Sequence, residues 1–271
     1  MLVYRVMIVS VLTVADLGIA AFIANRYSCA KAVVFFLNPV SIIITGYHNQ
    51  FDTIAVLFAL LSILYINEEE SFSKKDIFAI LFLSLSLMTK HILFLLPVFI
   101  LLTNNIPLKK RIVYAIVPPV VFLLSFAPFA IQNNAALQGI INNVFLYRSF
   151  NNAPLLDILY KQIGFLSGPR IYVYGIMMLV PAWLVRREKY EHILLIYLIA
   201  MVSFSSAIAN QYLAIPMAAL CVLYVKPWHN VYMIATGIYL LLDGNGLGLL
   251  NTIQYAIPGS EVERIAGLYL Y

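Results

Sequence analysis

Apolar runs of roughly membrane length recur from one end of this chain to the other, separated by short polar and basic links. Ten can be drawn: Leu2–Ala24, Val33–Thr45, Phe51–Ile66, Ile77–Thr89, Ile92–Leu102, Ile112–Ile131, Ile171–Val185, His192–Ser206, Tyr212–Val225 and Val231–Leu242. In a bilayer core every backbone polar group needs an internal partner, so only helices and closed barrels span it. A barrel would show short alternating segments, and those are absent. The expected fold is all-α: a polytopic helical membrane protein of about ten membrane segments, in a single integral membrane domain over residues 1–271. Only 11% of the residues are charged, against about 25% in soluble domains. The first run is too long for a cleaved signal peptide and lacks its basic start and small-residue cleavage site.

The charges carry the topology. Arg26/Lys31, Lys74/Lys75, Lys109/Lys110/Arg111, Arg186/Arg187/Lys189 and Lys226 hold 11 of the 17 Lys and Arg, each group between two apolar runs. The positive-inside rule places those five links in the cytoplasm. The net charge of +5 therefore reflects topology, and no nucleic-acid partner is expected. Four links are left outside: Gly46–Asp52, the turn at Lys90-His91, the long loop over 132–170, and Ser206–Gln211. Glu68–Glu70 with Lys74 and Lys75 reads as a solvated cytoplasmic loop, and Gly244, Gly246 and Gly248 as a flexible external one. Cys29 and Cys221 lie near the cytoplasmic side with no metal spacing, so they read as core or loop thiols without a disulfide. His48, His91, His192 and His229 are scattered, and no metal site is expected. The localisation this implies is a multi-pass protein of a plasma membrane, or of the endoplasmic reticulum in a eukaryote, in contact with membrane lipids.

Two runs are too short to cross alone. At 1.5 Å per residue, Ile77–Thr89 and Ile92–Leu102 each fall short of a core about 30 Å thick. Joined into one helix they would put Lys74/Lys75 and Lys109–Arg111 on opposite sides. Two half-length helices turning at Lys90-His91 keep both clusters on one side, and they bury the Lys90 ammonium where it needs an anionic partner.

The densest chemistry lies in Gly46-Tyr47-His48-Asn49-Gln50-Phe51-Asp52, a polar heptapeptide between two apolar runs. Ionisable groups this close to hydrocarbon usually face a bundle interior or a water-filled cavity. Asp52 has a plain alternative role as N-cap of the following helix; capping does not require His48 or Gln50. Asp16, inside the first run, reads as a structural ion pair or a helix–helix hydrogen bond.

In order along the chain, Leu37-Asn38-Pro39-Val40, His48-x-Gln50-Phe51-Asp52, Lys90-His91 ahead of Pro97, Val144–Ser149 and Asn210-Gln211-Tyr212 ahead of Pro216 form a series. This series resembles the polyprenyl-phosphate-sugar-dependent glycosyltransferases of the GT-C class. The likeness is to the GPI mannosyltransferase, the lipid-linked-oligosaccharide glucosyltransferases and their prokaryotic relatives, and it runs from about Asp16 to Leu220. It implies inverting transfer of a hexose, with mannose suggested, from a dolichyl or polyprenyl phosphate donor. The acceptor would be a glycan, lipid-linked or protein-linked, on the extracytoplasmic face. By the same resemblance Asp52 and His48 are candidate catalytic residues. Asn49, Gln50, Lys90, His91, Tyr147, Arg148, Gln211 and Tyr212 are candidate substrate-binding residues. Lys161 and Arg170 contact either donor phosphate or lipid headgroups. No tightly bound cofactor is implied, and a divalent metal, used by some members, is left open. In the class the catalytic acid lies in a first external loop; this chain starts at the equivalent of the second helix, so that loop is expected to be missing. Two other readings fit the same polar cavity: a transporter or flippase of a lipid-linked or polar substrate, and a non-catalytic membrane subunit beside an active enzyme.

Overall fold

The computed structural model describes residues 2–131, 133–145, 170–205, 210–223, 227–242 and 247–249. All regular structure among them is helical. In chain order the helices are α1 (Leu2–Arg26), α2 (Cys29–Phe36), α3 (Pro39–Ser41), α4 (Asp52–Tyr65), α5 (Lys74–Thr89), α6 (Leu96–Leu102), α7 (Leu108–Ser125), α8 (Ala127–Ala130), α9 (Asn134–Ile140), α10 (Arg170–Leu184), α11 (Tyr190–Phe204), α12 (Met217–Leu223) and α13 (Trp228–Leu242). Wide π-type turns follow α3 at Ile42–Tyr47 and α9 at Ile141–Phe145, and 3-10 turns stand at His91–Leu93 and Asn210–Ala214. Three stretches are helical, long and apolar enough to cross a membrane: Val3–Arg26, Cys29–Tyr47 and Leu108–Ala130. The remaining apolar helices are shorter. The long loop expected over 132–170 is in part helical, through α9 and its π-turn, and residues 146–169 lie outside the described residues.

The breaks in these helices have local causes. Pro39 disfavours helical geometry at Asn38, which is extended at φ −67°, ψ 124°. Asn38 Oδ1 then accepts from the Val40 N–H at 2.8 Å, capping α3. Lys90 is also extended, at φ −158°, ψ 125°, and ends α5. The turn after it is pinned from outside: the Tyr197 hydroxyl donates to Ile92 O at 2.7 Å, and the Tyr197 ring packs edge-on against Phe99.

The expected reversal of the chain at Lys90 is present. Arg111 donates to Thr103 O, and Lys110 reaches Asp76, so the end of α6 and the start of α7 lie beside the start of α5. One long helix through Lys90 would put them at opposite ends. Further contacts gather the other basic links at that same end. Arg26 pairs with Glu191 at 3.5 Å, the Lys31 ammonium donates to Val222 O, and Asn104 N donates to Arg186 O at 2.9 Å. Lys226 is outside the described residues. One member of these clusters is drawn into the interior: Lys110 is fully buried.

Hydroxyls lock α4 to α5. Ser62 donates to Ala79 O and Ser86 to Ala55 O, both at 2.7 Å. In apolar surroundings such interhelical bonds, with small residues such as Ala55, Ala59 and Ala79 at the contact, replace the hydrophobic driving force that lipid removes. On the other side of α4, Gly18 of α1 admits Leu57: a Cβ there would stand 2.9 Å from Leu57 Cδ1. The start of α4 is thereby fixed between α1 and the Lys90 turn.

Candidate functional site

The polar heptapeptide lies at the end of the bundle opposite the basic links. Its backbone leaves the π-turn with His48 N donating to Ile43 O at 3.0 Å and Gln50 N to Ile44 O at 3.3 Å. Asn49 between them is left-handed at φ 56°, a conformation that Asn tolerates better than most residues. This reversal delivers Asp52 to the first residue of α4, where its side chain is fully buried. It does not cap the helix. The preceding Phe51 takes the N-cap position, without a capping bond, and the Asp52 carboxylate turns instead to Lys90.

Lys90 Nζ lies 2.5 Å from Asp52 Oδ1. The charges touch, and beyond Lys90 the carboxylate meets, among the described residues, only the backbone of its own residue. The ammonium sits 5.4 Å from the Phe51 ring centre and 5.2 Å from that of Tyr212. Two aromatic faces thus flank the cation, an arrangement worth more as water is excluded. Tyr212 reaches this position from the 3-10 turn Asn210–Ala214, which brings a late segment of the chain against an early one.

Around this pair lie polar atoms without hydrogen-bond partners among the described residues: His48 Nε2 and Asn49 Oδ1, both buried. The His48 ring meets Tyr47 edge-on at 5.1 Å. Gln50 Nε2 donates to His48 O at 3.4 Å. His91, next to Lys90, is exposed at the start of its turn. The structure therefore brings Asp52, Lys90 and Tyr212 into contact, with His48, Asn49 and Gln50 on the loop leading in. Gln211 belongs to the same turn as Tyr212 by its backbone. Tyr147, Arg148 and Lys161 lie outside the described residues, and Arg170 is placed only as the first residue of α10.

Sequence reasoning missed one cation here. Arg5 Nη2 donates to Tyr47 O at 2.9 Å, and its guanidinium lies 5.4 Å from the Tyr47 ring centre. Its lone position in an apolar run was a signal that went unused. Asp16 does not pair with Arg26, which is taken by Glu191; it faces Thr45 and Thr53. Cys221 is buried 3.6 Å from His229 Nε2, with no disulfide to Cys29, and no cluster of metal-ligating side chains occurs among the described residues.

Fold and site together define a chain whose described residues form only helices, among them apolar helices of membrane-spanning length, with a buried carboxylate–ammonium pair opposite its basic links. Beyond that class, no family model, no curated protein and no solved structure matches the chain.

Proposed function

We propose that this protein is a GT-C-like glycosyltransferase that moves a hexose from a polyprenyl or dolichyl phosphate to a hydroxyl acceptor. In this reading the chain crosses the membrane about ten times, counting the half-length pair. The basic links are cytoplasmic and the heptapeptide is extracytoplasmic. The observation that carries the reading is the Asp52–Lys90 pair, buried yet under-bonded, beside a polar loop and two aromatic faces.

The chemistry needs a base and an anion-stabilising cation close together. As the acceptor oxygen bonds to the anomeric carbon, the bond from that carbon to the phosphate oxygen breaks. The acceptor proton passes to the Asp52 carboxylate, and Lys90 meets the charge that develops on the departing phosphate. Donor phosphate draws Lys90 from Asp52, freeing the carboxylate as the leaving group is gripped. His48, Asn49 and Gln50 supply donors and acceptors for sugar or acceptor hydroxyls. Phe51 and Tyr212 offer flat apolar faces to a sugar ring.

The test is transfer of labelled mannose or glucose from polyprenyl phosphate by the purified protein in lipid nanodiscs, with donor binding measured separately. Lys90→Ala, folded by its melting curve, should weaken donor binding by about tenfold or more, the loss of one charge-assisted contact. Unchanged donor affinity in that variant would sink the assignment. Movement of intact donor across a sealed vesicle, with no sugar transferred, would point instead to a flippase.

A further inference from the structure

A second polar centre lies midway along α1, apart from the Asp52–Lys90 pair. Asp16, Ser41 and Thr45 line a partly open cavity of about 170 Å³ between α1 and the π-turn Ile42–Tyr47, with Phe35, Phe36, Leu37 and Ile42 forming its apolar wall. The Thr53 hydroxyl faces the Asp16 carboxyl from α4. All four polar side chains are more than nine-tenths buried, at 8%, 4%, 3% and 5% exposure for Asp16, Ser41, Thr45 and Thr53. Yet the Ser41 hydroxyl has no hydrogen-bond partner among the described residues, and the Asp16 carboxyl meets only the Thr53 and Thr45 hydroxyls, none of them in a well-aligned bond. Among the described residues no Lys, Arg or His forms an ion pair with Asp16.

Buried oxygens this weakly bonded, three of them lining the cavity and Thr53 beside it, are expensive unless something fills the space. We infer that this cavity is a monovalent-cation site, with Asp16 supplying the charge and Ser41, Thr45 and Thr53 supplying neutral oxygens. An all-oxygen donor set without imidazole or thiolate selects a hard cation over zinc or copper. One carboxylate neutralises one positive charge; a divalent ion would leave an uncompensated charge in a span that is otherwise apolar. The wide π-turn contributes to the geometry, because Ser41 and Thr45 flank its start and middle and face the same cavity. The inference is independent of sugar transfer, since the site can be read with no donor present.

The experiment uses the full chain in nanodiscs at fixed ionic strength and constant pH. Melting curves are taken in sodium, potassium, calcium or choline chloride, alongside equilibrium binding of radioactive sodium. Sodium or potassium should raise the melting temperature by about 2 °C or more over choline, as ligand-linked stabilisation requires. Asp16→Asn should abolish that difference. If Asp16→Asn does not fold, Thr45→Val and Ser41→Ala should weaken the apparent ion affinity by about tenfold each. Identical melting in all four salts, with no saturable sodium binding to the wild type, overturns the site: Asp16 is then a neutral carboxyl bonded to its hydroxyl neighbours. A response to calcium alone overturns the assignment of a monovalent ion.

Discussion

Two buried Asp–Lys pairs stand at opposite ends of this bundle, and they are built to different standards. At one end Asp76 receives Lys110 Nζ at 3.1 and 3.2 Å, the Tyr114 hydroxyl at 2.8 Å, the Ser73 N–H at 2.7 Å and the Ser73 hydroxyl at 2.9 Å. Lys110 also donates to Asn67 O at 3.2 Å and lies near the Phe72 ring. At the other end Asp52 has Lys90 against Oδ1 and, beyond it among the described residues, only its own backbone. A saturated pair recovers its desolvation cost through many bonds, whereas a bare one leaves capacity for a ligand. The contrast separates a clasp from a site: Asp76 ties the ends of α4, α5 and α7 together, and Asp52 waits beside a polar loop.

Paired substitutions break or sharpen this contrast. The largest effect is on transfer: Asp52→Asn should lower the rate by about 10² to 10⁴, the range for removing a general base. The same change strands the buried Lys90 ammonium and should also lower the melting temperature, so rates are compared per folded protein. Equal transfer in Asp52→Asn would reduce the pair to a second clasp. Next, Lys110→Ala should cost about 3–5 kcal/mol of stability, the usual result of stranding a buried charge. Denaturant unfolding in detergent checks this, and a loss below 1 kcal/mol would show the clasp idle. Tyr114→Phe removes one hydroxyl from the same carboxylate and should cost about 1.5–3 kcal/mol.

A pH series reads the clasp directly. Asp76 stands in the first turn of α5, ahead of its apolar run. Burial acts to raise its pKa, but the bonds from the Ser73 backbone, Tyr114 and Lys110 outweigh it and hold the carboxyl below 3.8. Because the folded value is the lower one, the unfolded chain takes up protons first as the solution is acidified. The contribution of Asp76 is therefore complete above pH 3.8 and lost as the pH falls through its folded value. Asp76→Asn should flatten that part of the acid unfolding curve. The smallest effect is at the break before the π-turn, where Asn38→Ala removes a cap worth about 1 kcal/mol.

Much of the framework was legible in the chain itself. Run lengths and basic clusters gave the helical class, and the shortness of Ile77–Thr89 and Ile92–Leu102 gave the reversal at Lys90. Ser73-x-x-Asp76 is a capping-box pattern that the structure completes through Ser73 N–H and Asp76 Oδ2, whereas Asn38-Pro39 breaks a stretch read as the single run Val33–Thr45. Lys90 was expected to need an anion, but Asp52 was also open to a capping role. The choice between them depends on where α4 starts relative to a turn 38 residues further on. The burial of Lys110 was invisible because a lysine in a basic cluster carries no mark of the carboxylate that will meet it.

By itself, the sequence determined the helical class, the reversal at Lys90 and which end collects basic charge. Those properties follow from neighbouring residues through apolar length and the cost of burying charge. Only the tertiary structure decided which of two similar Asp–Lys pairs is saturated and which is left open. That depends on Lys110 and Tyr114 joining the local Ser73 on one carboxylate, and on Tyr212 joining the local Phe51 beside the other pair's ammonium; Lys110, Tyr114 and Tyr212 come from segments distant in sequence. Hydrogen bonds of this kind act only over about 3 Å, a distance that packing sets and that no local pattern encodes.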